Sequence, residues 1–338
     1  MGSINSKFQS LSQKKVNETQ KQEEQNQERE FQNNENYQEQ KQKEKNQNLS
    51  ENSEMILQNN TLQDNKQSIL LPMLYLSHGG PTTSFRDYNL YDKDVVNSYC
   101  DFLEKFGKNL RKNGQIKNII VVSAHFERSK FAILQGEKPK TIHDHGFSEI
   151  FDYQSKSRNN LVLAQDLYEQ LKQEGLEVEK EYGWGYDHGV WSITKLIDPD
   201  GEIPCLSISV NRKWDPQQHI KLGKILGKLR DENLIVASGS ASHNLREFFT
   251  QVQYGIKSKF SQQIKSFNDQ VIEILVKKTG NERVQKAVDL LKHKDYKINH
   301  PSDEHFFPVF VGVGAALNSK GKIFSYDPTG ISTSLVFE

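Results

Sequence analysis

The chain has 338 residues, and its 44 Lys and Arg balance its 44 Asp and Glu, so the formal net charge is zero. Without a block of basic residues, this balance argues against a nucleic-acid partner. The two cysteines, Cys100 and Cys205, are far apart and outside any CxxC motif, which fits a reducing compartment and excludes a disulfide framework. No stretch reaches the roughly 18 apolar residues of a membrane span, and no apolar signal-peptide core is visible.

The N-terminal segment, residues 1–68, is rich in Gln, Asn, Glu and Lys and carries few apolar side chains. Such a segment cannot bury enough apolar surface to offset the conformational entropy lost on ordering, so we predict a disordered tail. Apolar residues do not recur at heptad positions, so no coiled coil is predicted. We expect the tail to be dispensable for catalysis.

The first six residues, MGSINS, match the N-myristoylation pattern, with Gly2 exposed after removal of Met1 and Ser6 at the favoured position. An ordinary N-terminus explains so short a pattern equally well. One myristoyl chain binds membranes only marginally, and neither a nearby cysteine nor a strong basic patch adds a second anchor. The expected location is cytoplasmic, with weak membrane association only if Gly2 is acylated.

The remaining residues, 69–338, have the composition of a folded protein and can form one domain with a substantial core. Apolar runs predict strands at residues 72–76, 116–122, 176–179, 204–210 and 234–238. Helical spacing of apolar residues predicts helices at residues 96–109, 161–174, 219–231, 260–278, 282–291 and 308–317. Strands that alternate with helices indicate an α/β domain with a mostly parallel central sheet flanked by helices.

Three of the predicted strands are followed by small residues and then by a histidine, at His78, His125 and His243. Ligands of α/β sheets bind at the carboxyl ends of strands, and neutral imidazole is a ligand for iron and zinc. No compact motif such as HExxH is present, and a single loop histidine is more often a hydrogen-bonded structural residue. The residues by themselves therefore predict a histidine-lined metal site that is either catalytic or structural.

Three other histidines, His188, His219 and His293, also have informative sequence contexts. Asp187 precedes His188 in a Gly-flanked turn, where the carboxylate could orient the imidazole for acid/base work or could instead cap the turn backbone. His219 and His293 lie in charged helical contexts and are interpreted as solvated surface groups. A nucleophilic mechanism is not indicated, because neither cysteine lies in a His-rich turn and no GxSxG elbow is present.

Six short motifs surround most of these histidines. In chain order they are LSHGGP (76–81), VVSAHFE (121–127), TIHD with a following GF (141–147), WGYDHGVW (184–191), SGSASHNLR (238–246) and HPSDEHFFP (300–308). Together and in this order they resemble the class III extradiol dioxygenases, in particular the single-chain DOPA dioxygenase branch. The resemblance extends from about residue 72 to the C-terminus, and the tail has no counterpart in it.

The resemblance implies that His78, His125 and His243 are the metal ligands. In the wider class the third ligand is a carboxylate, whereas the branch that this chain resembles has a histidine there. Fe(II) is the cofactor expected for activity. Zn(II) is possible in the same site, because some zinc enzymes also use three histidines.

The resemblance further implies that His188 is the catalytic acid/base, a role that suits an imidazole because it titrates near neutrality. His143 and His305 are expected to line the substrate pocket, with Asp187 beside His188. Arg246 is a candidate for binding a substrate carboxylate. The implied substrates are a small catechol and O2, and holding both on one metal removes much of the entropy cost of their encounter.

Two alternatives stay open at this point. A zinc-binding hydrolase or a redox-inactive relative is possible on the same fold, because fold does not fix function. A non-enzymatic scaffold, tethered through the tail and Gly2, is the other alternative. His188 argues against the scaffold, since a scaffold needs no acid/base residue. The identity of the catechol is not indicated.

Overall fold

The computed structural model describes residues 70–88, 90–144, 146 and 148–338. The predicted tail, residues 1–68, and Gly2 lie outside the described residues, so the predictions made for them stay predictions. Among the helices of the described part, none combines the length and the apolar character that crossing a membrane requires. Cys100 and Cys205 are both free and buried.

An eight-stranded sheet forms the centre of the described domain. Its strands, in chain order, are β1 (Met73–Ser77), β2 (Asn118–Arg128), β3 (Phe131–Leu134), β4 (Val178–Glu181), β5 (Cys205–Asn211), β6 (Asn233–Gly239), β7 (Gly321–Ser325) and β8 (Ser334–Phe337). Their spatial order is β4-β3-β5-β2-β6-β1-β8-β7. The four central strands, β5, β2, β6 and β1, are mutually parallel, while β3 and β8 run antiparallel to them. The predicted α/β domain with a mostly parallel sheet is confirmed.

Ten α-helices connect or flank the strands of the described part. They are α1 (Lys93–Asn113), α2 (Ser148–Asp152), α3 (Leu161–Gln173), α4 (His188–Ile197), α5 (Pro216–Gly227), α6 (Leu245–Tyr254), α7 (Ser261–Lys277), α8 (Gly280–Asp289), α9 (Tyr296–Asn299) and α10 (Pro308–Ala315). Two short 3-10 helices add Pro81–Phe85 and Leu290–Lys292.

The sheet is buried on both faces. Along β2, Ile120 and Val122 pack with the helices of one face, including α3, α5, α7 and α10, while Ile119 and Val121 pack with α1 and α4 on the other. Because successive strand residues point to opposite faces, a strand covered on both sides is a continuous apolar run. The central strands therefore lie close to their predicted positions.

Helix α10 carries apolar or small residues on every side. All eight of its residues are buried. It crosses α5 at very short range. A methyl group on Gly223 would overlap the carbonyl oxygen of Val311, and one on Gly314 would overlap that of Ile220. Two helices can approach so closely only where neither carries a side chain at the contact.

Strand β2 departs from the prediction in a way that shapes the site. The apolar run ends at Val122, yet β2 continues to Arg128, so His125 lies within the strand rather than after it. Ser123 pairs with Ser209 and Glu127 with Val210, so residues 124–126 have no partners on β5. Such a bulge bends a strand and re-aims its side chains. It turns His125 toward the carboxyl ends of the neighbouring strands.

The interpretation of His219 and His293 as solvated groups was wrong. His219 is fully buried in α5 between the rings of Phe131 and Phe307. Its Nδ1 donates to the carbonyl of Asp215 at 2.8 Å, and its Nε2 accepts from a backbone N–H at 3.2 Å. The side chain of His293 is only 20% exposed. Charged neighbours on the outer face of a helix do not reveal that its histidine points inward.

Burial of His219 predicts a pH-dependent stability. Burial lowers its pKa from 6.5 to about 4, so the unfolded chain binds the proton first as pH falls. The stability that a neutral His219 provides is full above about pH 6.5 and is lost between about 6.5 and 4, by up to about 3 kcal/mol. We expect His219→Gln to show a shallower fall of thermal midpoint across this range than the wild type. Parallel curves for the two proteins would contradict the assignment.

Candidate active site

Four imidazoles meet at the carboxyl edge of the central strands. His78, His125, His188 and His243 line one cavity of about 740 Å³. His78 follows β1, and its N–H donates to the carbonyl of Gly239 at the end of β6. The parallel register thus brings together histidines that are far apart in sequence.

A fifth histidine, His305, lies beside this group, just before α10, and is 3% exposed. Although the sequence predicted that His305 lines the pocket, it is not among the residues that line this cavity. Its carbonyl oxygen accepts from the N–H of Ser240 at 2.8 Å, which fixes it against the loop that follows β6. The Nε2 atom of His125 lies 3.0 Å from that of His78 and 3.3 Å from that of His305. Of the residues that the structure describes, these three form a group whose ligand atoms all lie within 4.8 Å of one another.

Hydrogen bonds at the rear of two of these rings set their tautomers. Ser238 Oγ donates to the carbonyl of Gly189 at 2.7 Å, so it accepts from Nδ1–H of His78 at 2.9 Å. Nδ1–H of His305 donates to a carboxylate oxygen of Glu304 at 3.1 Å. Each ring therefore turns an Nε2 lone pair toward His125. A hydrogen-bonded Nδ1–H at the rear is the usual arrangement of a metal-binding histidine.

The donor set fits a metal ion. Burial, together with the neighbouring imidazoles, holds the pKa of His78, His125 and His305 well below the usual range, so all three are neutral at neutral pH. Nε2 of His78 and Nε2 of His305 each direct a lone pair toward His125, and a cation among the three nitrogens would bind all of them. Nitrogen atoms bound at about 2.1 Å to one ion stand about 3.0–3.4 Å apart, which is the spacing observed for the two Nε2 pairs.

His188, the first residue of α4, is held by a carboxylate that the sequence had not singled out. Its Nδ1 lies 2.9 Å from Oδ2 and 3.1 Å from Oδ1 of Asp144. The His188 side chain is 3% exposed, and its ring centroid lies 3.9 Å from that of His125. A carboxylate at Nδ1 fixes the ring and leaves Nε2 to exchange a proton, which is the arrangement of an oriented general base.

Asp187 does not hold the His188 ring as the sequence had suggested. Its Oδ1 accepts from Ser123 Oγ at 2.6 Å, and its Oδ2 accepts from Trp184 Nε1 at 3.2 Å. Burial raises the pKa of this carboxyl, which the two donors partly offset. Asp187 thus links the start of α4 to Ser123, where the regular pairing of β2 with β5 ends. Through the backbone it positions His188, the next residue.

His243 lines the cavity but does not belong to the group of ligand atoms that His78, His125 and His305 form. Its ring stacks on that of His305 with centroids 3.4 Å apart and planes 8° apart. Its Nδ1 lies 3.9 Å from Glu304, and it groups with Glu304 and His305 among the described candidate metal ligands. Burial lowers the pKa of His243 to about 4, and the charge of His188 adds to the effect.

Two further predicted residues lie away from the cavity wall. His143 packs between Trp191 and Phe151, with ring centroids 5.7 and 5.8 Å away, and it is not one of the residues that line the cavity. Arg246 is exposed at the start of α6 and does not line the cavity either. The structure therefore gives Arg246 no support as a carboxylate-binding residue.

Three residues that contact the site histidines were not predicted from the sequence. They are Asp144, Glu304 and Ser238, and each lies within one of the six motifs. A signal was present for Glu304 and Asp144, because each is an acidic residue next to a histidine. For Ser238 there was none, since a serine at the end of a strand is common. Nothing local reveals that Ser238 lies behind a histidine of another strand.

The fold and the site define an α/β protein with a candidate three-histidine metal centre at the carboxyl ends of its parallel strands. Residues 72–337 match the family described as the catalytic LigB subunit of aromatic ring-opening dioxygenase, and the chain belongs to this family. It is therefore an enzyme of the extradiol ring-opening dioxygenase class. Family membership decides against the hydrolase and the scaffold that the residues had left open.

Named relatives agree with this assignment. The chain is 32% identical to the 4,5-DOPA dioxygenase extradiol of Escherichia coli (strain K12), over 73% of this chain and 86% of the relative. It is 29% identical to a 4,5-DOPA dioxygenase extradiol-like protein of Schizosaccharomyces pombe, over 75% and 88%. It also resembles the crystal structure of an uncharacterized protein from Escherichia coli K12, at 23% identity and a TM-score of 0.60, over 79% of this chain and all of the other. That structure supports the fold.

Proposed function

We propose that this protein opens a catechol-type aromatic ring at an extradiol bond, using O2 and a metal ion that is Fe(II) in the active enzyme. The observation that carries the proposal is the convergence of three neutral imidazoles, those of His78, His125 and His305, beside a cavity of about 740 Å³ that His78 and His125 line. A cavity of this size accepts a single aromatic ring with a short substituent. The relatives named for DOPA support a catechol of similar size as the substrate.

The proposed ligands are His78, His125 and His305. The sequence predicted His243 as the third ligand, and that assignment stays a prediction. The geometry favours His305, because its Nε2 faces His125 at 3.3 Å and its tautomer is set by Glu304. Bound Fe(II) would supply the one-electron chemistry that lets a catechol react with O2.

The chain's own residues supply orientation and proton transfer. His188 faces the cavity with Nδ1 held by Asp144, so its Nε2 is the atom proposed to take a proton from the catechol and return one during ring opening. Glu304 and Ser238 hold the rear of the ligand rings, and such outer contacts commonly change metal affinity by about 10–100-fold. The proposed location is cytoplasmic, with membrane contact only through acylation of Gly2.

The proposal is tested by loading purified protein with Fe(II) and following O2 consumption and yellow semialdehyde formation with 4-ethylcatechol and DOPA. The expected result is one O2 consumed for each ring opened. Protein loaded with Zn(II) is the matched control and should be inactive, because Zn(II) has no redox chemistry. Equal activity of the zinc form, or O2 consumption without ring-opened product, would refute the proposal.

A further inference from the structure

Two serines occupy matching positions at the carboxyl ends of neighbouring strands. Ser123 of β2 pairs with Ser238 of β6, and both side chains are fully buried. The first turn of α4 rests directly on them, because a methyl group on Gly189 would lie 2.6 Å from the hydroxyl oxygen of Ser123 and 3.2 Å from that of Ser238. The two hydroxyls therefore join the strands to the helix that begins at His188.

The two serines differ in what fixes the direction of their hydrogen bonds. Ser123 donates to a carboxylate oxygen of Asp187 at 2.6 Å, and a carboxylate can only accept. Ser238 has one proton and two neighbours, the carbonyl of Gly189 at 2.7 Å and Nδ1 of His78 at 2.9 Å. A carbonyl can only accept, whereas Nδ1 of a neutral imidazole donates or accepts according to its tautomer. The direction of the Ser238 hydroxyl therefore depends on which nitrogen of His78 carries the proton.

Metal binding decides the tautomer of His78. Burial holds the pKa of this ring well below its usual range, so it is neutral and carries one N–H. A metal ion bound at Nε2 leaves that proton on Nδ1, so that Ser238 accepts from His78 and donates to Gly189, as its observed contacts have it. In the metal-free protein the other tautomer competes, because its Nε2–H can donate to Nε2 of His125 at 3.0 Å. Ser238 then donates to Nδ1 of His78 and releases the carbonyl of Gly189.

We infer that Ser238 is a positioning residue whose hydroxyl relays metal binding at His78 to the first turn of α4, which holds His188 firmly only when the metal is bound. The inference rests on the proposed function. Because Gly189 directly follows His188, a hydrogen bond at its carbonyl restrains the backbone that carries the acid/base ring. Through this Ser238 relay, the enzyme orders its acid/base residue when it binds its metal.

The test is hydrogen exchange of the first-turn amides of α4, measured by mass spectrometry with and without saturating Zn(II). The N–H groups of Val190 and Trp191 both donate to the carbonyl of Asp187 at 2.9 Å, so their exchange reports the opening of this turn. In the wild type, Zn(II) should slow this exchange about fivefold, which corresponds to about one hydrogen bond. Bound metal also stabilises the whole domain, and the amides of α8, which is not part of the described cavity lining, give the reference for that general effect.

Three variants isolate the hydroxyl. Ser238→Ala should reduce the response to Zn(II) below about twofold at equal zinc content. Ser123→Ala should speed exchange in both states and keep the response, because its bond to Asp187 does not depend on the tautomer of His78. Ser207→Ala is the matched control, since it replaces a fully buried strand serine whose hydroxyl has no hydrogen-bond partner among the described residues. Each variant is compared with itself with and without zinc, so a general loss of stability does not enter.

The outcomes separate this inference from the proposed function. If the wild type binds no metal, the proposed metal site fails and the Ser238 relay fails with it. If the wild type binds zinc but exchange in α4 slows no more than in α8, the metal site stands and the relay is refuted. A full response of Ser238→Ala at the same zinc content would refute the relay as well.

Discussion

Replacing His305 by Ala is expected to empty the metal site, whereas replacing His243 by Phe is expected to leave the metal in place. The Nε2 atom of His305 is one of three that converge, at 3.3 Å from that of His125. His243 contributes a ring stacked on His305 at 3.4 Å, which phenylalanine can preserve without offering a nitrogen. Losing a ligand should weaken metal binding by more than about 100-fold, because even contacts behind the ligands are worth about 10–100-fold.

The measurement is metal content by elemental analysis, followed by competition with a chelator of known affinity. His293→Ala is a suitable control, since it removes a partly buried histidine that neither lines the cavity nor belongs to a described group of candidate ligands. His78→Ala should match His305→Ala. If His243→Phe loses its metal and His305→Ala retains it, the ligand set that the sequence predicted is right and the geometric assignment is wrong.

The second large effect is expected at His188. His188→Ala should retain the metal and still bind a catechol, while kcat falls by about 10²–10⁴-fold because proton transfer is lost. His188→Gln should fail similarly, since an amide cannot relay a proton. Asp144→Asn should cause a smaller loss of about tenfold, because an amide oxygen can still accept from Nδ1 but stabilises the protonated ring less.

Metal content and kcat must be measured on the same preparations, because the loss of a ligand and the loss of an acid/base group have different effects. Loss of a ligand empties the metal site, whereas loss of an acid/base group leaves the metal in place and lowers kcat. Loss of metal from His188→Ala as complete as from His78→Ala would make His188 a ligand. Wild-type turnover of His188→Ala would mean that another group carries the proton. His243, which also lines the cavity, would then be the next residue to replace.

The fold class, and most of the elements that build it, could be predicted from the amino-acid sequence. Strands β1, β5 and β6 were predicted nearly at their observed positions, because burial on both faces makes them continuous apolar runs. The short strands β3, β7 and β8 were missed, as were the helices α2, α4, α6 and α9. A strand of four or five residues carries little periodicity, and pairing with distant partners decides whether it forms.

The sequence also predicted the residue types of the candidate site and the positions of most of them, because motifs in a fixed order carry that information. Which histidines converge depends on how the chain folds and cannot be predicted from the motifs. The bulge of β2 aims His125, Glu304 fixes the tautomer of His305, and Asp144 rather than Asp187 holds His188. These outcomes depend on differences of an ångström between side chains that are far apart in sequence. Sheet register and helix packing set such distances, and no local pattern of residues encodes them.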